Sequence, residues 1–255
     1  MQMKKIVICM ILIVLCFALL SNAAFAAPGI SISDEGITIN STDDPAEISA
    51  SIKLLLLLTV LSILPSILIM MTSFTRIIIV LSFLRNSMGT QQTPPNQVII
   101  GLALFLTFFI MSPVMADINE NALEPFTENK ISLEEAIDTS EDIIKDNMLK
   151  YTRDKDLALF ASMAGVEPPK ELTDLPLTVV TPAFMISELN TAFRMGFMLY
   201  IPFLVIDMVV ASTLMAMGMM MLPPVMISMP FKILLFILVD GWNLLTETLI
   251  KSFAR

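Results

Sequence analysis

Apolar positions in this chain gather into long blocks rather than alternating with polar ones at strand spacing. The blocks run over residues 6–20, 51–84, 98–115, 181–222 and 225–253. A helix needs about 20 apolar residues to cross a hydrocarbon core of ~30 Å, so all but the first are span-sized. Residues 51–84 as one helix would measure about 50 Å, so this block is expected to bend at Pro65, tilt or project beyond the bilayer. A polar loop over 85–97, with Gly89, Pro94 and Pro95, returns the chain into the block that starts at Val98, which makes a first hairpin. The last two blocks make a second hairpin that turns around Gly218, Pro223 and Pro224. The predicted fold is all-α and membrane-associated: two long helical hairpins separated by a small helical insert.

The polar stretches complete the plan. Residues 27–50 are rich in Ser, Asp, Thr and Gly without a helical period and read as an extended lead-in. Residues 117–174 hold 15 Asp plus Glu against 6 Lys plus Arg, a net of −9. Inside this insert, 131–150 reads as an amphipathic helix capped by Ser132 with Glu135 at capping-box spacing, and 155–163 as a second, shorter helix.

The first block is different in kind. Lys4 and Lys5 precede it and Ala24-Phe25-Ala26 follows it, the pattern of a signal peptide cleaved between Ala26 and Ala27; an uncleaved first helix is the alternative. Cleavage starts the mature chain outside the cytoplasm and changes the formal charge from −9 to −11. It also removes both cysteines, Cys9 and Cys16, so exported segments fold without disulfides. The expected divisions are 1–26 signal peptide, 27–50 exported lead-in, 51–116 first hairpin, 117–180 acidic extracytoplasmic insert and 181–255 second hairpin. Four spans after a cleaved signal place both ends outside and both hairpin turns in the cytoplasm, although Lys251 and Arg255 fit that orientation poorly.

Composition narrows the function. Of 255 residues 56% are hydrophobic and 15% charged, which leaves no room for a large soluble catalytic domain. A charge of −9 argues against nucleic acid as partner. There is no histidine, so imidazole catalysis and histidine metal sites are excluded, and no nucleotide motif or cofactor site is expected.

Two features carry candidate chemistry. Ten of the 21 methionines lie between Met195 and Met229, including Met219-Met220-Met221. Flexible thioethers close around differently shaped objects, so they could seal a pore, or they could fill an irregular membrane core. Three in a row point three ways around a helix, which favours a loop facing one lumen. The blocks also carry Arg76, Glu188, Arg194, Asp207, Lys232, Asp240 and Glu247. Each would cost several kcal/mol facing lipid at the bilayer centre, so these charges are expected against protein, a partner, water or a membrane edge. Arg76, Asp207 and Asp240 are expected to be buried. Glu188 and Lys232 stand at unequal distances from the turn, so pairing between neighbouring copies is one way to satisfy them; hydration near an interface is the other.

At this point the residues resemble a known family. The stretches Thr72-Ser73-Phe74-Thr75-Arg76-Ile77, Arg85-Asn86-Ser87-Met88-Gly89-Thr90-Gln91-Gln92-Thr93-Pro94-Pro95-Asn96-Gln97-Val98, Asp156-Leu157-Ala158-Leu159-Phe160 and Pro182-Ala183-Phe184-Met185-Ile186-Ser187-Glu188-Leu189 are similar to the FliP family of flagellar export-gate proteins. So are Pro202-Phe203-Leu204-Val205-Ile206-Asp207-Met208, Met217-Gly218-Met219-Met220-Met221-Leu222-Pro223-Pro224 and Leu238-Val239-Asp240-Gly241-Trp242. The resemblance covers nearly all of 52–253 in the family's order.

It implies a subunit of a type III secretion export gate in the bacterial inner membrane at the flagellar basal body. Copies of the chain, a pentamer in the family, would assemble into a helical ring with FliR-like and FliQ-like subunits and with downstream export apparatus proteins. Unfolded flagellar substrates would thread the centre. The resemblance also implies that Met219, Met220 and Met221 form the constriction, that Glu188 and Lys232 form an intersubunit charge pair, and that the hairpins are lifted from the bilayer plane in the assembled gate. A virulence injectisome subunit is the near alternative. A secondary transporter would explain intramembrane charges and Pro-broken helices but should show internal repeats, which the two hairpins lack beyond their shared plan.

Overall fold

The computed structural model describes residues 30–33, 36–39, 45–90, 93–165, 172–219 and 223–254. The signal peptide and its cleavage site at Ala26 and Ala27 lie outside the described residues. The chain divides into two compact units, residues 1–64 and 65–255.

The first unit corrects the lead-in. Strands β1 (Ile30–Ser33) and β2 (Gly36–Ile39) pair antiparallel with Ile30 opposite Ile39 and Ile32 opposite Ile37. Helix α1 (Pro45–Met70) then begins inside the stretch expected to be extended, with Pro45 at its first position, where a missing N–H costs nothing. Its residues from Leu55 to Ile67 are all exposed, and all are apolar apart from three hydroxyls, Thr59, Ser62 and Ser66. A helix apolar all round is solvated by lipid or by other protein rather than by water.

The second unit holds the remaining helices: α2 (Phe74–Ser87), α3 (Asn96–Ile118) running through a π turn (Asn119–Leu123) into α4 (Glu124–Thr127), α5 (Leu133–Tyr151), α6 (Asp154–Met163), α7 (Leu177–Ala216), α8 (Pro224–Leu238) and α9 (Gly241–Phe253). The break in the first long block falls at Met71–Ser73, and Pro65 stays inside α1. Thr72 explains the position: its hydroxyl donates to the Ile69 carbonyl at 2.9 Å and accepts from the Phe74 N–H at 3.3 Å. One side chain thus serves both the end of α1 and the start of α2.

The last block also breaks, at Asp240. Asp240 adopts left-handed backbone (φ 49°, ψ 53°) between α8 and α9, which bend by 65°. Gly241 is buried there, and a β-carbon on it would come within 2.2 Å of the Phe236 ring. Among the described residues two helices are long and apolar enough to span by length and composition, Asn96–Thr127 and Leu177–Ala216, and the bent pair α8–α9 can make a third. In the insert, α5 and α6 fall where their periodicity put them, and the Ser132 hydroxyl accepts from the Glu135 N–H at 3.2 Å.

The core sits along α2. Ile77, Val80, Leu81 and Leu84 repeat at helical spacing and are buried against Ile99, Ala103 and Leu106 of α3, Ala192 and Phe203 of α7, and Leu245 and Leu249 of α9. A second cluster joins Met148 of α5 and Leu157 of α6 to Val180, Ala183 and Phe184 of α7. Through these two clusters α7 is the common wall, and its polar residues become the interior of the site.

Candidate functional site

The methionine-rich turn begins where α7 stops. Gly218, at φ +76°, donates from its N–H to the Met215 carbonyl at 3.0 Å, and Met219 donates to the Leu214 carbonyl at 3.0 Å. This is the Schellman pattern, with glycine in the left-handed position it occupies without strain. Pro223 and Pro224 cap and open α8. The helix therefore ends before the methionine run, and Met219 is its first residue off the helix. Met215, Met217, Met219 and Met226 are all exposed around this turn. Met220 and Met221 lie outside the described residues.

Below the turn the buried charges form two networks. Arg76 on α2 donates from Nε to Glu188 Oε2 at 2.8 Å and from Nη2 to Glu188 Oε1. Its Nη1 donates to the Ser252 carbonyl at 3.1 Å and to the Ser252 hydroxyl at 3.0 Å. The guanidinium lies 3.9 Å from the centre of the Phe253 ring. Tyr151 on α5 donates to the Phe253 carbonyl at 2.7 Å. Arg76 and Glu188 are 3% and 0% exposed, so neither is hydrated and each depends on the other. The cluster ties the end of α9 to α2, α5 and α7. Its cation also faces free carbonyls at a helix C-terminus, a favourable placement. A cavity of about 230 Å³ opens beside it, lined in part by Ser73, Met111, Asn147 and Tyr151.

The second network lies toward the turn. Lys232 on α8 donates to Asp207 Oδ2 on α7 at 2.6 Å and to the Ser87 carbonyl at the end of α2 at 3.0 Å. Ser228 donates to the other Asp207 oxygen. Lys232 is thus paired although 2% exposed.

These placements bear on the residues singled out in the sequence. Arg76 is buried as expected, Asp207 is partly buried, and Asp240 is exposed at the elbow rather than buried. Glu188 and Lys232 do not meet, and each already has a partner of opposite charge within the chain. Tyr151, Ser228 and Ser252 were not anticipated. Nothing in their local sequence marks them, because their partners are 102, 21 and 176 positions away.

A third cluster fixes the insert to α7. Ser187 donates to Asp156 Oδ2 at 2.6 Å and accepts from the Arg153 N–H at 3.0 Å, while Arg153 Nε also donates to Asp156 at 2.6 Å. Burial pushes the Asp156 carboxyl upward, but the hydrogen bonds from Ser187 and Arg153 and the charges of Arg153 and Lys155 outweigh it and hold the group below its ordinary value. A depressed carboxylate stabilises the folded state above its unfolded pKa of about 3.9 and loses that contribution as pH falls through the lower folded value. The difference in urea midpoint between the wild type and Asp156→Asn is expected to be largest near neutrality and to shrink below about pH 4. A difference that stays constant from neutral to acid pH would exclude the charge as its cause.

Among the described residues no group of His, Cys, Asp and Glu is placed to hold a metal. The order of elements, the methionine turn and the buried polar ties occupy one continuous stretch, and the sequence model of the FliP family matches residues 57–249. The chain belongs to the FliP family. It is 63% identical over 220 residues to the flagellar biosynthetic protein FliP of Bacillus subtilis (strain 168), an alignment that covers 86% of this chain and 100% of that one. The FliP of Aquifex aeolicus (strain VF5) is 55% identical over 80% of this chain and 86% of its own. That of Pectobacterium carotovorum subsp. carotovorum is 49% identical over 93% and 92%. The FliP match takes in Arg76, Glu188, Asp207, the methionine turn, Lys232 and Asp240, and stops short of Ser252.

Proposed function

We propose that this FliP-family chain is a pore-forming subunit of the flagellar type III export gate, in which Met219, Met220 and Met221 close the channel at rest and fit around an unfolded polypeptide during export. The observation that carries this reading is the Gly218 stop: it ends α7 before the methionine run, whose first member, Met219, is exposed off the helix. Cleavage after Ala26 exports the start of the mature chain and the acidic insert. Copies of the chain assemble as a ring, five in number by the family's pattern, with FliR-like and FliQ-like subunits in the inner membrane at the basal body. The wide exposed faces of α1, α3 and α7 support extensive contact with protein or lipid. The channel is passive: the buried charges are structural ties, and energy and substrate choice come from other export proteins. The flagellar names of the relatives favour this branch over the injectisome.

The test replaces Met219, Met220 and Met221 together by Ala in the co-expressed gate. The complex is expected to assemble in normal yield while the membrane becomes permeable to small ions, read as loss of membrane potential in growing cells. A fully assembled triple variant that still seals would defeat the constriction reading.

A further inference from the structure

The charges of α7, α8 and α9 divide into those with partners and those without. Glu188 pairs with Arg76, Asp207 with Lys232, and Glu247 with Lys251. Two opposite charges remain. Among the described residues the Arg194 side chain has neither a hydrogen bond nor an ion pair, and the Asp240 carboxylate has only a hydrogen bond from the Asn243 amide at 3.2 Å. Both are exposed on apolar ground. Arg194 shares the outward stripe of α7 with Phe197, Ile201 and Met208, at helical spacings of 3, 7 and 14, while Ala192, Gly196 and Phe203 face the core. Asp240 sits at the elbow among exposed Ile237, Leu238, Trp242 and Leu244.

An unpaired charge in such surroundings costs several kcal/mol in lipid. By sequence, both lie between the two polar networks of the second unit. Glu188 is held level with Ser252, and Asp207 level with Lys232. Arg194 lies between the first and second of these levels along α7, and Asp240 lies between them along α8 and α9. An apolar stripe carrying one cation and an apolar elbow carrying one anion are complementary in chemistry and in charge.

We propose that Arg194 of one copy pairs with Asp240 of the next, so that the outward stripe of α7 and the α8–α9 elbow are the two faces of a head-to-tail contact between copies of this chain. This rests on the oligomeric reading of the function and adds the residues that make the contact. Two different faces in contact repeat around a ring or a helix, whereas a self-complementary patch stops at a dimer. The charge gives the register, since any other alignment leaves both groups unpaired on apolar surface.

The experiment uses the full chain with Cys9 and Cys16 replaced by Ser, co-expressed with its FliR-like and FliQ-like neighbours, and a short bis-maleimide as probe. Cells carrying a mixture of Arg194→Cys and Asp240→Cys copies are expected to give cross-linked dimers, and the double variant a ladder beyond the dimer. Cross-linking by Arg194→Cys alone, or a double variant that stops at the dimer, would overturn the head-to-tail contact. Absence of cross-links while native mass spectrometry still records the oligomer would overturn this pair and leave the oligomeric reading standing. A parent protein that is monomeric in the same spectra would overturn both. Because cysteine removes the charges, a second series reads the pairing directly: Arg194→Glu is expected to lower oligomer recovery about tenfold, and Arg194→Glu with Asp240→Lys to restore most of it. Equal recovery from the single and the swapped variants would show that charge does not set the register.

Discussion

Replacing Arg76 by Met is expected to cost about 3–5 kcal/mol of stability, because it leaves the Glu188 carboxylate buried with no cation. Glu188 is fully buried on α7, and both of its oxygens accept from the Arg76 guanidinium. The same substitution frees the end of α9, which Arg76 holds through the Ser252 carbonyl and hydroxyl. It also removes the guanidinium from the face of the Phe253 ring. Tyr151 keeps its hydrogen bond to Phe253, so α9 should loosen at its end rather than detach. The measurement is the denaturant midpoint in mild detergent, with hydrogen exchange of the α9 amides as the local readout. Adding Glu188→Leu to Arg76→Met should recover most of the loss, since two apolar side chains can replace a buried pair without a stranded charge. A single variant that loses less than about 1 kcal/mol would show that Glu188 finds water or another donor.

Gly196→Ala should destabilise by about 1–3 kcal/mol, although alanine is the better helix former by about 1 kcal/mol. Gly196 faces α2, and a β-carbon on it would stand 2.5 Å from Phe83 Cγ and 2.9 Å from Phe83 Cβ. Contact with Cβ cannot be relieved by turning the ring, and the ring is already held edge-on by Phe193 with centroids 5.3 Å apart. Relief therefore requires α2 and α7 to separate, which disturbs the core around Ile77, Leu81 and Ala192. Both Arg76 and Lys232 depend on that spacing, so the variant should also weaken the two polar ties. The same denaturant midpoint checks this, with Gly101→Ala as control, because a β-carbon there meets nothing within 4 Å. A rise in the midpoint for Gly196→Ala equal to that of the control would refute the close-approach account.

The legible part of the fold was the part governed by local chemistry. The helices of the insert and the turn at Gly218, Pro223 and Pro224 could be read because caps, glycine and proline act on their near neighbours. The stop after α7 was legible in outline from three consecutive methionines, whose directions no single helix face can share. The two breaks were not. Thr72 is one hydroxyl among several in an apolar run, and Asp240 is one acid among several charges in the apolar blocks. Each ends a helix only because of what its side chain or backbone meets. Pro65 drew the expected bend because proline is a strong local signal, yet the helix contains it.

The candidate site divides the same way. By itself the sequence determined that this is a predominantly helical chain with long apolar blocks and a methionine-rich stretch, and that its interior charges require partners, since composition, periodicity and the cost of burying a charge do not depend on topology. Tertiary structure alone decided which partners. Glu188 lies 112 positions from Arg76, and Lys232 lies 145 from Ser87, so only the packing of α7 and α8 against α2 brings them together. The same packing satisfied Glu188 and Lys232 within the chain and left Arg194 and Asp240 on its surface. The reason is physical: a charge in an apolar sequence states a need, and only the arrangement of helices in space says whether that need is met inside the chain or by its neighbour.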